Sequence, residues 1–426
     1  MTVTVFLGSL LGAMAIGTPI AFALLLCGVA LMFHMDLFDA QIVAQNVVNG
    51  ADSFPLVAVP FFMLAGEVMN AGGLSRRIVA VAMALVGHIR GGLGYVAILA
   101  SCILASLSGS AVADAAALSA LLVPMMVRAG HDKARSCGLI AAGGIIAPII
   151  PPSIGFILFG VAANVSITKL FLAGIFPGLM LGLGLVAAWW LVVRHENLAP
   201  PPRATKGEVA VAVKDGFWAL MLPGIIIFGL KFGIFTPTEA AVVAAVYALF
   251  VAVVVYRELK PSQLFDLFAS AATTTAVVMF LVAAAMVSAW MITIANLPAQ
   301  VGDLLEPFMG SPTLLMAAIM VLVVIVGTAM DMTPTILILT PVLMPVIKQA
   351  GIDPVYFGVL FIINNAIGLI TPPVGTVLNV VCGVSKVSME GVIKGVWPFM
   401  LVQLFVLFLL TLFPSLVMVP AAWLSH

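Results

Sequence analysis

The sequence predicts an all-α polytopic membrane protein made of two related halves, each with about five crossings, one re-entrant helical hairpin and one broken helix. Three observations predict it. Hydrophobic residues make up 63% of the 426 and charged residues only 8%, whereas a soluble domain carries about 25% charged residues. Apolar runs long enough to span a bilayer recur along the whole chain. A shift of 221 positions then superposes Pro124 on Pro345, Ala129-Gly130 on Ala350-Gly351 and Asp132 on Asp353. The same shift superposes Pro151-Pro152 on Pro372-Pro373, Gly174 on Gly395 and Pro177 on Pro398. Duplicated halves with broken membrane helices are the build of secondary transporters.

The elements follow in order. The run 3–34 holds a hinge at Gly17-Thr18-Pro19, matched by Phe235-Thr236-Pro237 between two clear spans of the second half, and is read as two spans. A span follows at 54–72. Segment 75–90 is too short and polar to cross and reads as an interfacial arm helix. The run 91–129 carries a Gly/Ser/Asp cluster at its middle, so each side is roughly 16–18 residues, the length of a hairpin that turns back inside the protein. The run 137–163 is interrupted by Pro-Pro and Gly, and 170–193 spans. The polar stretch 194–215, with Pro200-Pro201-Pro202 inside it, is a linker. Spans at 217–234, 237–256 and 270–294, an arm at 297–310, a hairpin at 312–350, a broken run at 356–383 and a span at 394–420 complete the second half.

Positive charge supports this layout. With loops assigned to alternating sides, all eight arginines and Lys133, Lys206, Lys214, Lys260, Lys386 and Lys394 fall on one face. Only Lys169, Lys231 and Lys348 fall on the other, so the first face is cytoplasmic. Five crossings per half invert the second half relative to the first. The first hairpin then opens from the cytoplasm and the second from outside.

Zero formal net charge leaves no nucleic-acid footprint. Cys27, Cys102, Cys137 and Cys382 lack CxxC spacing and read as small buried hydrophobes. The N-terminus shows no removable signal peptide. No HExxH, Walker or GxSxG pattern is present, and the histidines lie in loops or at ends, so neither an enzyme nor a histidine proton relay is expected, and no cofactor.

The chemistry concentrates at the hairpin middles and the breaks. The first tip reads Ser106-Leu107-Ser108-Gly109-Ser110-Ala111-Val112-Ala113-Asp114, and its partner break reads Ala147-Pro148-Ile149-Ile150-Pro151-Pro152-Ser153. Hydroxyls, and carbonyls freed where proline lacks an amide proton, are the oxygens a hard cation such as Na⁺ takes. The second copy reads Val326-Gly327-Thr328-Ala329-Met330-Asp331-Met332-Thr333-Pro334, with the break 364–376 from Asn364-Asn365 to Thr371-Pro372-Pro373. A kinked, closely packed helix pair would use similar residues, but the recurrence of tip plus break at one offset favours ion sites, and two sites favour at least two cations. Half-helix N-termini at both breaks suit an anionic substrate. Asp114 and Asp331 are charges inside membrane segments, and each reads as a helix cap, a cation-site group, or both. Glu67 reads as snorkelling or helix-pairing more than ion binding, and Glu239 as a first-turn dipole partner.

On these residues the chain resembles the large membrane subunit of the tripartite ATP-independent periplasmic (TRAP) transporters, the DctM type, within the ion-transporter superfamily. The most specific pieces are Pro60-Phe61-Phe62-Met63-Leu64-Ala65-Gly66, the tip Ser108-Gly109-Ser110-Ala111-Val112-Ala113-Asp114-Ala115-Ala116 and the paired breaks Ile150-Pro151-Pro152-Ser153 and Thr371-Pro372-Pro373-Val374-Gly375. The resemblance implies a scaffold and an elevator-type transport domain. Scaffold helices and arms would be 1–90 and 217–311, and the transport hairpins and breaks 91–163 and 312–383. Residues 164–193 would be the last helix of the first repeat, 194–216 the linker and 384–426 the C-terminal helix. It implies Na⁺ as coupling ion, a bacterial inner-membrane location, a periplasmic substrate-binding protein, and a small four-helix membrane subunit as a separate polypeptide. Substrates of the family are C4-dicarboxylates, sialic acid and related carboxylates. Carried over by position, cation ligands would come from Ser106, Ser108, Ser110 and the carbonyls around Gly144, Pro148 and Pro151, and from Gly327, Thr328, Met330, Gly368 and Thr371. Substrate would lie between Gly109, Ser110, Asp331, Met332, Thr333 and Asn365. A stand-alone Na⁺-coupled anion symporter of the same superfamily is the alternative, and a requirement for the binding protein separates the two.

Overall fold

The computed structural model describes residues 2–194, 202–328 and 330–425. Among them regular structure is helical throughout, and eight helical stretches are long and apolar enough to cross a membrane. The α-helices of the first half are α1 (Thr2–Ala15), α2 (Ile20–His34), α3 (Ala40–Ala51), α4 (Ala58–Ala71), α5 (Leu74–Val86), α6 (Gly92–Ser108), α7 (Ala111–Arg128), α8 (Lys133–Gly144), α9 (Ile154–Ala163) and α10 (Ile167–Val193). In the second half they are α11 (Lys206–Lys231), α12 (Pro237–Phe250), α13 (Pro261–Ile294), α14 (Leu297–Leu305), α15 (Pro312–Gly327), α16 (Met332–Gln349), α17 (Pro354–Gly368), α18 (Thr376–Ser385), α19 (Met389–Leu412) and α20 (Ser415–Ser425).

The repeat is visible as matching local chemistry. Asp132 caps α8 by accepting the Arg135 amide at 2.8 Å, and Asp353 caps α17 by accepting the Val355 and Tyr356 amides at 2.7 and 3.0 Å. Gly130 (φ 90°) and Gly351 (φ 69°) make the same left-handed turn just before those caps. The Pro-Pro bonds of the two breaks, 151–152 and 372–373, are both cis.

The run 3–34 is two helices packed on each other, joined at Gly17-Thr18-Pro19. Several elements differ from expectation. Helix α11 begins at Lys206, inside the stretch read as linker, because Thr205 and Glu208 form a reciprocal cap. The segment 384–426 is not one helix. It takes the end of α18, then α19, then α20, with a break at Phe413 ahead of Pro414. Helix α3 was not expected at all. Asp39 caps it, accepting the Gln41 amide at 2.7 Å, and it packs on α13.

Helix α13 is 34 residues, about 51 Å at 1.5 Å per residue, and starts nine residues before the span expected at 270. It lies against α2, α3, α4 and α16 and so joins the first and last thirds of the chain. Helix α4 packs on α12, and α5 on α11. At the base of the first hairpin, the Trp189 indole N–H of α10 donates to the Gly91 carbonyl at 2.8 Å.

Candidate functional site

The first tip is built to close on its break. Gly109 takes φ 62°, and a Cβ there would lie 2.6 Å from the Pro152 carbonyl, so only glycine allows this approach. Ser110 caps α7, accepting the Ala113 amide at 3.4 Å. Asp114 is therefore not the cap that its position suggested. It sits in the first turn, 2% exposed, and one of its oxygens accepts the Ser108 hydroxyl at 2.6 Å. Its other oxygen is buried with no hydrogen-bond partner among the described residues. A buried carboxylate in that condition calls for a cation or a proton. The Ser108 oxygen also accepts the Ser110 amide at 3.2 Å, and Ser106 donates to Ile103 at 2.6 Å. Both hydroxyl protons are thus directed away, leaving lone pairs for a ligand.

The first break is fully buried from Ile145 through Ser153. Ser153 caps α9, accepting the Phe156 amide at 3.1 Å, and donates to the Pro148 carbonyl at 2.5 Å. Pro148 therefore keeps one free lone pair. The Gly144 carbonyl accepts the Ala147 amide at 3.1 Å. Pro151 has no N–H to give the Ala147 carbonyl, which is the freed acceptor of this turn. The sequence signal for the Ser153 cap is a serine directly after Pro-Pro and before an apolar run.

The second tip meets its break backbone to backbone: a Cβ on Gly368 would lie 2.9 Å from the Gly327 Cα. Thr328 donates to Ile325 at 2.7 Å and Thr371 to Ile367 at 2.8 Å. The Met330 amide closes on Val326 at 3.1 Å. Asp331 holds the cap position of α16, which starts at Met332. Its side chain makes no capping hydrogen bond and lies beside the Met332 amide and the Thr376 side chain of α18, although the residue as a whole is exposed. Asn365 is 1% exposed; its amide donates to Phe361 at 2.8 Å while its oxygen has no partner among the described residues. Neighbouring Asn364 instead ties α17 to α15 through the Met320 carbonyl at 2.6 Å.

The two copies interlock. Helix α7 packs on α18 and α16 on α9, so each hairpin's second arm lies on the other repeat's broken helix. A Cβ at Gly155 of α9 would sit 3.2 Å from Met332 Cε, while Gly109 lies against Ser153. Gly109, Ser153, Gly155, Met332, Asp331 and Thr376 thus form one continuous chain of neighbours. The N-termini of α7, α9, α16 and α18 gather around it, each carrying about half a positive charge. Thr333, half-buried in the first turn of α16, adds a hydroxyl to that set. Gly66 of α4 faces the tip, with a Cβ there 3.6 Å from Ser108 Cα, and half-buried Glu67 follows it. Gln403 escaped the sequence reading. It is buried in α19 and donates to the Ala142 carbonyl at 2.7 Å; an isolated amide in an apolar helix was the available signal.

Twin hairpins, twin breaks and four helix N-termini around one polar centre are the architecture of a membrane transporter. The chain belongs to the family described as tripartite ATP-independent periplasmic transporter, DctM component, which it matches over residues 7–416. It is 60% identical over 425 residues, the whole of both chains, to the 2,3-diketo-L-gulonate TRAP transporter large permease protein YiaN of Escherichia coli (strain K12). It is 37% identical over 417 residues, 98% of each chain, to the sialic acid TRAP transporter large permease protein SiaM of Vibrio cholerae. The fold is similar to the crystal structure of the Alcanivorax borkumensis YdaH transporter, with a TM-score of 0.65 at 16% identity over 89% of this chain and 90% of that one.

Proposed function

We propose that this permease imports a small carboxylate across the bacterial inner membrane, driven by Na⁺ and delivered by a periplasmic binding protein, with a small four-helix membrane subunit completing the complex. The carrying observation is the repeated tip-plus-break unit, whose two copies meet at four helix N-termini. In the first unit Ser106, Ser108, Ser110 and the carbonyls near Gly144, Pro148 and Pro151 hold one Na⁺, with Asp114 supplying the balancing charge. In the second, Gly327, Thr328, Met330, Gly368 and Thr371 hold another. Na⁺ bound at both tips adds positive charge to the helix N-termini, and the substrate carboxylate binds between Gly109, Ser110, Asp331, Met332, Thr333 and Asn365. Full-length similarity to a permease named for 2,3-diketo-L-gulonate supports a sugar-derived carboxylate as substrate.

The motion is an elevator: the hairpins and broken helices slide as a body past α4 and α13. The small Gly66 surface facing Ser108 supports this reading, since a smooth contact lets the tip change register.

The test is uptake of labelled 2,3-diketo-L-gulonate and sialic acid by proteoliposomes holding this chain and its small subunit. Uptake that requires both an inward Na⁺ gradient and the cognate binding protein is expected. Uptake that needs Na⁺ but ignores the binding protein would replace this reading with a stand-alone symporter.

A further inference from the structure

Between the end of the arm helix α5 and the first turns of α11 lies a groove of about 690 Å³ lined by Ala84, Leu85, His88, Arg203, Ala204, Lys206, Val209, Ala210 and Val213. Its chemistry is divided. Arg203, Lys206 and His88 supply positive or proton-donating groups at one end. Leu85, Val209 and Val213 supply an apolar wall at the other, with Leu85 45% and Val213 38% exposed. Arg203 and Lys206 are exposed and take part in none of the ion pairs among the described residues, and the His88 Nδ1 is buried without a hydrogen-bond partner there. The nearest acid on α11, Glu208, is turned back on its own cap, accepting the Thr205 amide at 2.7 Å and hydroxyl at 2.9 Å. The adjacent basic pair behaves differently: Arg76 and Arg77 of α5 are both held by Glu258, at 2.5 and 2.6 Å, and Arg77 stacks 3.7 Å from the Tyr256 ring centroid. The chain thus neutralises one basic cluster on this face and leaves its neighbour open.

We propose that this groove is a binding site for an anionic phospholipid of the cytoplasmic leaflet, the phosphate held by Arg203, Lys206 and His88 and an acyl chain lying along Leu85, Val209 and Val213. The arginine distribution puts this face on the cytoplasmic side, where anionic headgroups gather and basic pockets between membrane helices hold them. Charge complementarity and the apolar wall together select a lipid over a free anion. A lipid wedged between α5 and α11 would brace the arm against the first helix of the second half.

The experiment is native mass spectrometry of the purified complex of this chain with its small subunit, titrated with dioleoylphosphatidylglycerol or dioleoylphosphatidylethanolamine. Phosphatidylglycerol is expected to be retained and phosphatidylethanolamine not. Each basic side chain near an anionic lipid surface is worth roughly fivefold in affinity, so Arg203→Ala with Lys206→Ala should weaken phosphatidylglycerol binding about 30-fold. Arg203→Lys with Lys206→Arg should retain it, and Lys169→Ala, on the opposite face, should leave it unchanged. Equal retention of the two lipids, or undiminished phosphatidylglycerol binding by the double alanine variant, overturns the proposal. A benzophenone side chain placed at Ala210 reads the occupant directly. Labelling of phospholipid supports the site, and labelling of the small subunit makes the groove a protein interface instead.

Discussion

The two tip-and-break units share one plan and differ in how they are enclosed. The first is the more enclosed: Ser106, Ser108 and Asp114 are 5%, 8% and 2% exposed, only Ser110, Val112 and Ala113 of its tip are half-buried, and every residue of its break is covered. The second opens at its break, where Pro373 and Val374 are exposed, and at its tip, where Asp331 is exposed. The first therefore carries a fully buried acidic residue, Asp114, tied to the Ser108 hydroxyl, and the second carries an acidic residue, Asp331, that stays partly open to solvent. The same repeat thus produced one unit with an enclosed acidic residue and one with a more open acidic residue. The difference teaches that one repeated motif can place its acidic residue in two different environments, so under the proposed function the two units need not contribute equally to ion coupling.

Substitutions can break or sharpen that contrast. The largest effect is expected at the second unit's backbone contact. Gly368→Val places a branched side chain where even a Cβ meets Gly327 at 2.9 Å, so uptake should be abolished, and thermal unfolding should report an overpacking cost of about 1–3 kcal/mol. Wild-type uptake by this variant would mean that tip and break do not form a site.

Next come the two carboxylates. Asp114→Asn should raise the Na⁺ concentration for half-maximal uptake by roughly tenfold or more, because a charge-assisted hydrogen bond at a buried site is worth about 1.5–3 kcal/mol. Asp331→Asn, at an exposed position, should shift it less than about threefold by the same scale. Equal shifts would erase the functional asymmetry between the units. Ser108→Ala combined with Thr371→Ala should raise the Na⁺ requirement further than either alone. An unchanged Na⁺ dependence in a well-expressed double variant would remove both hydroxyls from the ion sites.

Gly66 tests the surface behind the first tip. Gly66→Ala should leave uptake near normal, since its Cβ would make an ordinary 3.6 Å contact with Ser108. Gly66→Leu should slow uptake with little loss of substrate binding, measured by isothermal titration of the reconstituted complex. The smallest effect is expected for Ser153→Ala, which removes the α9 cap at a cost of about 1 kcal/mol, read as a lower melting temperature with Na⁺ affinity retained within a few-fold.

Much of this was legible in the chain. Apolar run length marked most of the helices, and Pro-Pro pairs and the Gly/Ser/Thr tips marked where they stop. The offset of 221 announced the duplication down to the Asp132 and Asp353 caps. These signals are local: each needs only the residues within one or two turns. The misses were local conflicts or faint patterns. Helix α3 is short and polar for a membrane chain, so its amphipathic face was hidden among apolar runs. At Asp114, Ser110 competed for the same cap and won by standing one turn earlier.

By itself, then, the sequence determined the membrane class, the two repeats, the hairpins and the breaks, because proline, glycine, capping side chains and apolar length act within a few residues. Tertiary structure alone decided that α7 lies on α18 and α16 on α9, that Asp114 is enclosed while Asp331 is exposed, and that Gly66 backs Ser108. Those outcomes depend on packing between segments up to hundreds of residues apart. They also depend on backbone carbonyls, which every residue carries and no residue type announces.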